Sequence, residues 1–318
     1  MWKRCITQPK TGVRSWTAAY HATRRVFAPK PPFLDAQLKA FEASKQYLQA
    51  KSDLHRAALE TTVPGSEQWE KHSVLANLYD YGIREQFWNG ELDMSQPVFR
   101  YLARKKWEGY DMLLIQQRIE QHRVVPDTVA SFKPRVQLLL GFPSDTKQNP
   151  VDPGVFLPSK TTAQTPWINV VSFHSQPILA TILMLDPDVP NYATNMFETS
   201  VQFLAVNVPL SPTQQKVNVE SAAVLPYMPP IVHKGENAHR LVTLCFEQKN
   251  GRITVPDKNN SLFERQPFDV RSFQNKHVLE PIGAHIWRSI YDENTACVLK
   301  QHPQVNVYKD FEVKPIRS

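Results

Sequence analysis

Cysteine is scarce in this chain. Its 318 residues hold three, Cys5, Cys245 and Cys297, with neither paired nor metal-type spacing. That excludes a disulfide framework and fits a reducing compartment or the mitochondrial matrix better than secretion. Cys245, inside "LVTLCFE", reads as a small buried apolar residue. Long hydrophobic runs are also missing. A membrane-spanning helix needs ~20 consecutive apolar residues, whereas the longest runs here, Ile178–Leu185 and Phe203–Val208, have strand length. A soluble protein is the expectation. No internal repeat or low-complexity tract is visible. No Ser/His/Asp set, metal motif or phosphate loop stands out, so an enzyme is the weakest of the functional classes.

Acidic residues are absent from the start of the chain. Lys3, Arg4, Lys10, Arg14, Arg24, Arg25 and Lys30 precede the first carboxylate, Asp35. The remainder carries 30 basic and 30 acidic residues, so the net charge of +7 resides entirely in residues 1–34. An acid-free segment rich in Arg, Ser, Thr and aromatics reads as a mitochondrial transit peptide, with "RRVF" at 24–27 as the processing region. A retained basic arm that binds nucleic acid is the rival reading.

Residues 35–126 form a helical extension. The stretch 35–63 has no Gly or Pro before its end and many strong helix formers. "VPGSE" at 63–67 is a turn, with Ser66 placed as an N-cap. A second helix is expected to reach about Phe87, where "WNGELD" breaks it. A third should begin near Pro97 behind an N-cap at Ser95 and run, with a break near Gly109, to about Arg123. Met112, Ile115 and Ile119 make an apolar stripe along it.

The pattern then changes. "RVQLLLGF" at 135–142 predicts a strand, and the next 24 residues hold five prolines, as a long loop would. Short apolar runs follow at 168–173, 178–185, 200–208, 239–247 and 284–291. Several are apolar on both faces, as strands buried on both sides are. The fold class is therefore α+β: a basic segment over 1–34, the helical extension over 35–126, a mostly β domain over 127–299, and a tail over 300–318.

Two stretches could carry chemistry. In "LMLDPDVPN", residues 183–191, Asp186 and Asp188 alternate with Pro187 and Pro190. Each proline forces its predecessor toward extended geometry. The strand is expected to stop at this corner, with the carboxylates accepting nearby backbone N–H groups. In "YMPPIVHKGENAHRLVTLCFEQ", residues 227–248, a Pro pair leads to Lys234-Gly235 and then His239-Arg240. Such a loop can hold an anion, although loops entering strands often carry these residues for solubility alone.

Together these stretches resemble the phosphatidylethanolamine-binding protein family. Its D-P-D-x-P corner is matched by Asp186, Pro187, Asp188 and Pro190. Its following strand is matched by Phe203, Leu204, Val206 and Asn207, and its pocket loop by Pro229, Pro230, Gly235, His239 and Arg240. "VDPGVFLPSKT" at 151–161 is similar to the family's opening segment. Arg265, Phe268, Phe273, Leu279, Pro281, Gly283, Tyr291 and Asp292 fall where its closing region has similar residues. The resemblance covers roughly 135–292 and implies a β domain with a small anion pocket. The pocket has departed from the family's pattern. Gln202 stands where the family has a histidine, Leu241 replaces the tyrosine after His239-Arg240, and "IVH" lengthens the loop. Gln202 can hydrogen-bond but cannot carry positive charge. The resemblance thus implies a degenerate ligand pocket at Asp186, Asp188, Gln202, His239 and Arg240. Asp188 is expected to pair with Arg240, or both carboxylates to take backbone N–H donors, and bulky side chains such as Tyr227 or Met228 to narrow the former pocket.

One branch of the family joins such a domain to a transit peptide and a helical extension: a protein of the mitochondrial large ribosomal subunit. "IQQRIEQHRVVPD" at 115–127 is similar to that branch. The resemblance implies a structural role in mitochondrial translation, in the matrix. The implied partners are large-subunit rRNA and neighbouring ribosomal proteins. No cofactor, metal, small-molecule ligand or membrane span is expected. The candidate RNA contacts are Arg100 and Arg104, four apart on one helix face, with Lys105 and Lys106 beside them, although a solvated face is the ordinary meaning of such a run. Tyr101 and Trp107 could stack on bases, with core packing the commoner use. A lipid-head-group-binding or protease-inhibitor module is the alternative.

Overall fold

The computed structural model describes residues 32–143, 149–192, 194–254 and 265–302. The basic segment through residue 31, with its processing region, lies outside them, as does the tail from residue 303. The chain divides into two units, Met1–Asp53 and Leu54–Ser318. Where described, the first is helix only, the start of α1 (Pro32–Thr61).

Four helices follow: α2 (Glu67–Asn77), α3 (Tyr81–Asn89), α4 (Pro97–Gly109) and α5 (Asp111–Gln121). Ser66 caps α2, its Oγ accepting the Trp69 N–H at 3.2 Å. The single helix expected up to Phe87 is broken in two. Asp80 starts a new helix by accepting the Ile83 N–H at 3.2 Å, and Gly90 ends it in the left-handed region at φ 82°. The expected cap at Ser95 is also corrected. Gln96 precedes α4 and makes no side-chain cap bond, while the Ser95 N–H and hydroxyl both bind Asp93 at 3.0 and 2.6 Å. A short irregular turn, α6 (Val124–Asp127), closes the extension.

The β domain runs β1 (Val136–Gly141), β2 (Phe156–Leu157), α7 (Ser159–Thr162), β3 (Trp167–Ser172), β4 (Ile178–Asn191), β5 (Met196–Leu210), β6 (Lys216–Val217), α8 (Val219–Ala222), β7 (Ala223–Leu225), β8 (His239–Gln248), α9 (Val270–His277), β9 (Leu279–Ser289) and α10 (Thr295–Gln301). A three-stranded sheet has the order β1-β3-β6, and a six-stranded sheet the order β2-β9-β8-β4-β5-β7. All pairs are antiparallel except β2 with β9.

The large sheet is covered on both faces, which explains its doubly apolar strands. Ile182 and Met184 face the small sheet, packing with Val136, Leu138, Leu140, Ile168 and Val170. Their neighbours Leu183 and Leu185 face the other way, joining Ile115 and Ile119 of α5 and Val270 and Phe273 of α9. The α5 stripe thus seats the extension on the sheet. Two glycines permit close approach: a Cβ on Gly141 would stand 2.3 Å from the Trp167 ring, and one on Gly283 2.7 Å from Val136.

One expectation about the corner is overturned. β4 does not stop at Asp186 but continues to Asn191. Pairing with β5 breaks after Asp186↔Ser200 and resumes at Val189↔Glu198. A bulge at Pro187-Asp188 absorbs the proline, which has no N–H to give a ladder.

Candidate functional site

The site forms where the β4–β8 ladder ends. That ladder closes at Leu185↔Val242, leaving His239 and Arg240 of β8 without β4 backbone partners. The two corner carboxylates take over. Alternation along β8 splits the pair: Leu241 faces the small sheet and Val242 the helices, so His239 turns inward and Arg240 outward.

Asp186 and His239 are buried, 1% and 2% exposed. Their Oδ2 and Nδ1 lie 2.8 Å apart. The carboxylate only accepts, so the ring nitrogen donates. Asp186 Oδ1 accepts the Asp188 N–H at 3.0 Å, locking the bulge. The other ring nitrogen of His239 lies 3.5 Å from Glu236 Oε2. Glu236 also accepts the His233 N–H and the Tyr192 hydroxyl, each at 2.6 Å. Burial opposes a charge on His239. Asp186, then Glu236 and Asp188, outweigh it and hold the imidazole pKa above its ordinary value.

Arg240 grips Asp188 at three points. Its backbone N–H and Nε reach Oδ2 at 2.8 Å each, and Nη2 reaches Oδ1 at 2.6 Å. Nη1 turns to the helical extension, donating to the His122 carbonyl at 2.8 Å and to Asp127 at 2.9 Å. The hydrogen bond to Asp188 is the main reason the guanidinium pKa rises further above its already high value.

Gln202 is the extra residue in β5 at the register step from Met184↔Phe203 to Leu185↔Val201. It is 3% exposed, and its side-chain oxygen has no partner among the described residues. Tyr227 is half-buried at the edge of the inter-sheet core, its hydroxyl donating to the Thr162 carbonyl at 2.7 Å. A cavity of about 410 Å³ opens outside the corner, lined by Asp188, Pro190, Tyr192, Phe197, Glu236, His239 and Arg240 among others. Neither Gln202 nor Tyr227 lines it.

The donors at the corner are engaged with acceptors of the chain itself. His239 gives one nitrogen to Asp186 and faces Glu236 with the other, and all three guanidinium nitrogens of Arg240 have protein acceptors. The sequence pattern anticipated the Asp188–Arg240 pair. It missed the roles of Glu236, Tyr192, His122 and Asp127, although Glu236 and Tyr192 lie within four residues of singled-out positions and His122 and Asp127 fall inside the stretch 115–127. Among the described residues no cluster of three or more His, Cys, Asp or Glu could hold a metal ion.

The four candidate RNA contacts on α4 separate. Arg100 is buried at 7% exposure, bound to the Met94 and Ser95 carbonyls and to Glu70 at 2.7 Å. It is a structural ion pair, and its expected place on an RNA-facing surface does not fit this geometry. Arg104 and Lys105 are exposed and share one carboxylate, Glu108, at 2.8 and 3.2 Å. Lys106 reaches toward the Phe87 ring, 6.0 Å from its centroid. Trp107 is buried against Phe173.

Residues 147–288 match the family model described as phosphatidylethanolamine-binding protein. Among solved structures, a phosphatidylethanolamine-binding protein from Plasmodium vivax is 17% identical with TM-score 0.44, covering 56% of this chain and 97% of that one. A carboxypeptidase Y inhibitor, solved with its cognate proteinase, is 19% identical with TM-score 0.45, covering 56% and 95%. Large ribosomal subunit protein mL38 of Schizosaccharomyces pombe is 37% identical over 287 residues, 88% of this chain and 92% of that protein. That likeness takes in most of the helical extension as well as the β domain, and the chain belongs to the mL38 family of large ribosomal subunit proteins.

Proposed function

We propose that the chain is a non-catalytic structural component of the mitochondrial large ribosomal subunit, working in the matrix through contacts with rRNA and neighbouring ribosomal proteins. The observation that carries this reading is the extent of its likeness to a large ribosomal subunit protein, 88% of the chain. A shared binding domain alone would have matched only the β half. The acid-free basic segment at residues 1–34 supports the mitochondrial site. Commitment of the corner's donors to Asp186, Asp188, Asp127 and Glu236 supports a role for the pocket as architecture, with no small-molecule ligand.

The test is sedimentation of the tagged protein from mitochondrial lysate. It should travel with intact large subunits and leave that position when magnesium is removed. A chain that runs only as a free ~36 kDa species beside intact subunits would overturn the reading.

A further inference from the structure

A groove between the helical extension and the β domain has no part in the corner. It encloses about 580 Å³ and is lined by Arg104 and Glu108 of α4, by Ser131, Lys133 and Arg135 of the connecting segment, and by Gln274 of α9, among others. Its charge can be followed group by group. Arg135 and Lys249 share Glu247 and Glu280, every contact within 2.9 Å, so that side is balanced. Arg104 and Lys105 share the single carboxylate of Glu108, which leaves one positive charge over. Lys133 is exposed and makes no ion pair among the described residues. Counting Lys105, which shares Glu108 at the edge of the groove but does not line it, these groups leave an excess of two positive charges on this face, in a chain that is neutral beyond residue 34.

His174 lies near the same charges. Burial and then Arg135 oppose its charged form, with Arg104 and Lys249 adding to them and only Glu247 offsetting them, and its pKa lies below the ordinary value. Its Nε2 is buried with no partner among the described residues.

Resting on the reading as a ribosomal component, we infer that this groove faces rRNA, with Lys133, Arg104 and Lys105 neutralising backbone phosphates and Ser131 and Gln274 offering neutral hydrogen bonds. Phosphate contacts of this kind position a protein on nucleic acid without reading sequence. Glu108 holds the two α4 cations in place before RNA arrives, so less side-chain freedom is given up on binding. Arg100 takes no part, and Lys133, on the segment that connects the extension to β1, replaces it.

Two measurements decide the matter. In purified mitochondrial large subunits containing the full chain, ultraviolet crosslinking and peptide mass spectrometry should find nucleotide adducts on the peptides bearing Lys133 and Arg104-Lys105. Adducts confined to other peptides would overturn the inference. So would amine-reactive crosslinks from Lys133 to a neighbouring protein with no nucleotide adduct. In solution, the full chain is titrated with transcribed large-subunit rRNA at several salt concentrations. Lys133→Gln should weaken binding and flatten the log–log salt slope by about 0.7–0.9 for each phosphate no longer neutralised. Lys216→Gln, at an exposed position on β6, should leave both unchanged. Equal effects of the two variants would sink the assignment. If the chain does not sediment with large subunits, the ribosomal reading fails, and the titration still decides whether the groove binds RNA.

Discussion

Arg240 and Asp188 meet in a two-pronged ion pair, Nε to Oδ2 at 2.8 Å and Nη2 to Oδ1 at 2.6 Å. The same guanidinium holds the His122 carbonyl and Asp127. One side chain thus fastens the D-P-D-x-P corner of the β domain to the end of the helical extension. Arg suits the position because its planar fork can serve acceptors on two sides at once.

Asp188→Asn is expected to destabilise strongly, since it leaves a largely buried guanidinium short of charge. Removing one partner of a buried pair costs about 3–5 kcal/mol, and the lower end applies here because both side chains are about one-fifth exposed. Asp127→Asn, at a more exposed carboxylate, should cost no more than about 1 kcal/mol. Urea unfolding of both variants gives the comparison. Equal effects would mean that the corner is not the main anchor of Arg240.

Arg240→Leu should also loosen the seat of the extension. Amide exchange is expected to quicken at Val124, Thr128 and their neighbours before it quickens in the central strands β4 and β8. Uniform acceleration across the molecule would show global destabilisation with no local fastening.

The Asp186–His239 pair gives stability an alkaline limb. The folded pKa of His239 lies above that of the unfolded imidazole, about 6.5. Its contribution is fully present below that value and disappears as pH rises through the folded pKa. Unfolding free energy should therefore fall between neutral and alkaline pH. Asp186→Asn should remove most of that slope, and an unchanged slope would point to another titrating group.

His285 gives the opposite limb. It is buried, its Nε2 donates to the Val151 carbonyl at 2.9 Å, and burial pushes its pKa down to about 4. The folded state keeps it neutral where the unfolded chain would take a proton. Stability should fall as pH drops from about 6.5 toward 4, by about 3 kcal/mol in all. His285→Gln, which can keep the bond to Val151, should flatten this limb. Denaturant titrations at pH 7 and pH 4.5 measure it.

Calorimetric titration with phosphate or phosphoethanolamine is expected to give no specific heat. The donors that would receive such an anion, at His239 and Arg240, already have protein acceptors. Micromolar binding abolished by Asp186→Asn would show a working pocket.

The local elements and the kind of domain are legible along the chain. Helix formers without Gly or Pro, the Ser66 cap, the α5 stripe and the runs around 136–142 and 239–247 are written in nearest-neighbour chemistry, where spacing of 2 or 3.6 decides which face is apolar. The ordered D-P-D-x-P and pocket-loop residues were legible as well, and so was the Asp188–Arg240 pair they imply. Where a strong local rule met tertiary pairing, the local rule failed. Pro187 reads as the end of a strand, yet the ladder with β5 resumes beyond a bulge because pairing on both sides of it outweighs the bonds missing within it. Arg100 and Arg104 read alike on one helix face, yet one is buried on Glu70 and the other exposed, because packing of α2 against α4 decides which side of that face sees water. Glu236, Tyr192, Asp127 and Lys133 carry no signal of their own. Their roles come from distance in space: a carboxylate 113 residues from Arg240 becomes its partner only when α6 is set against the start of β8, and no pattern along the chain records that approach.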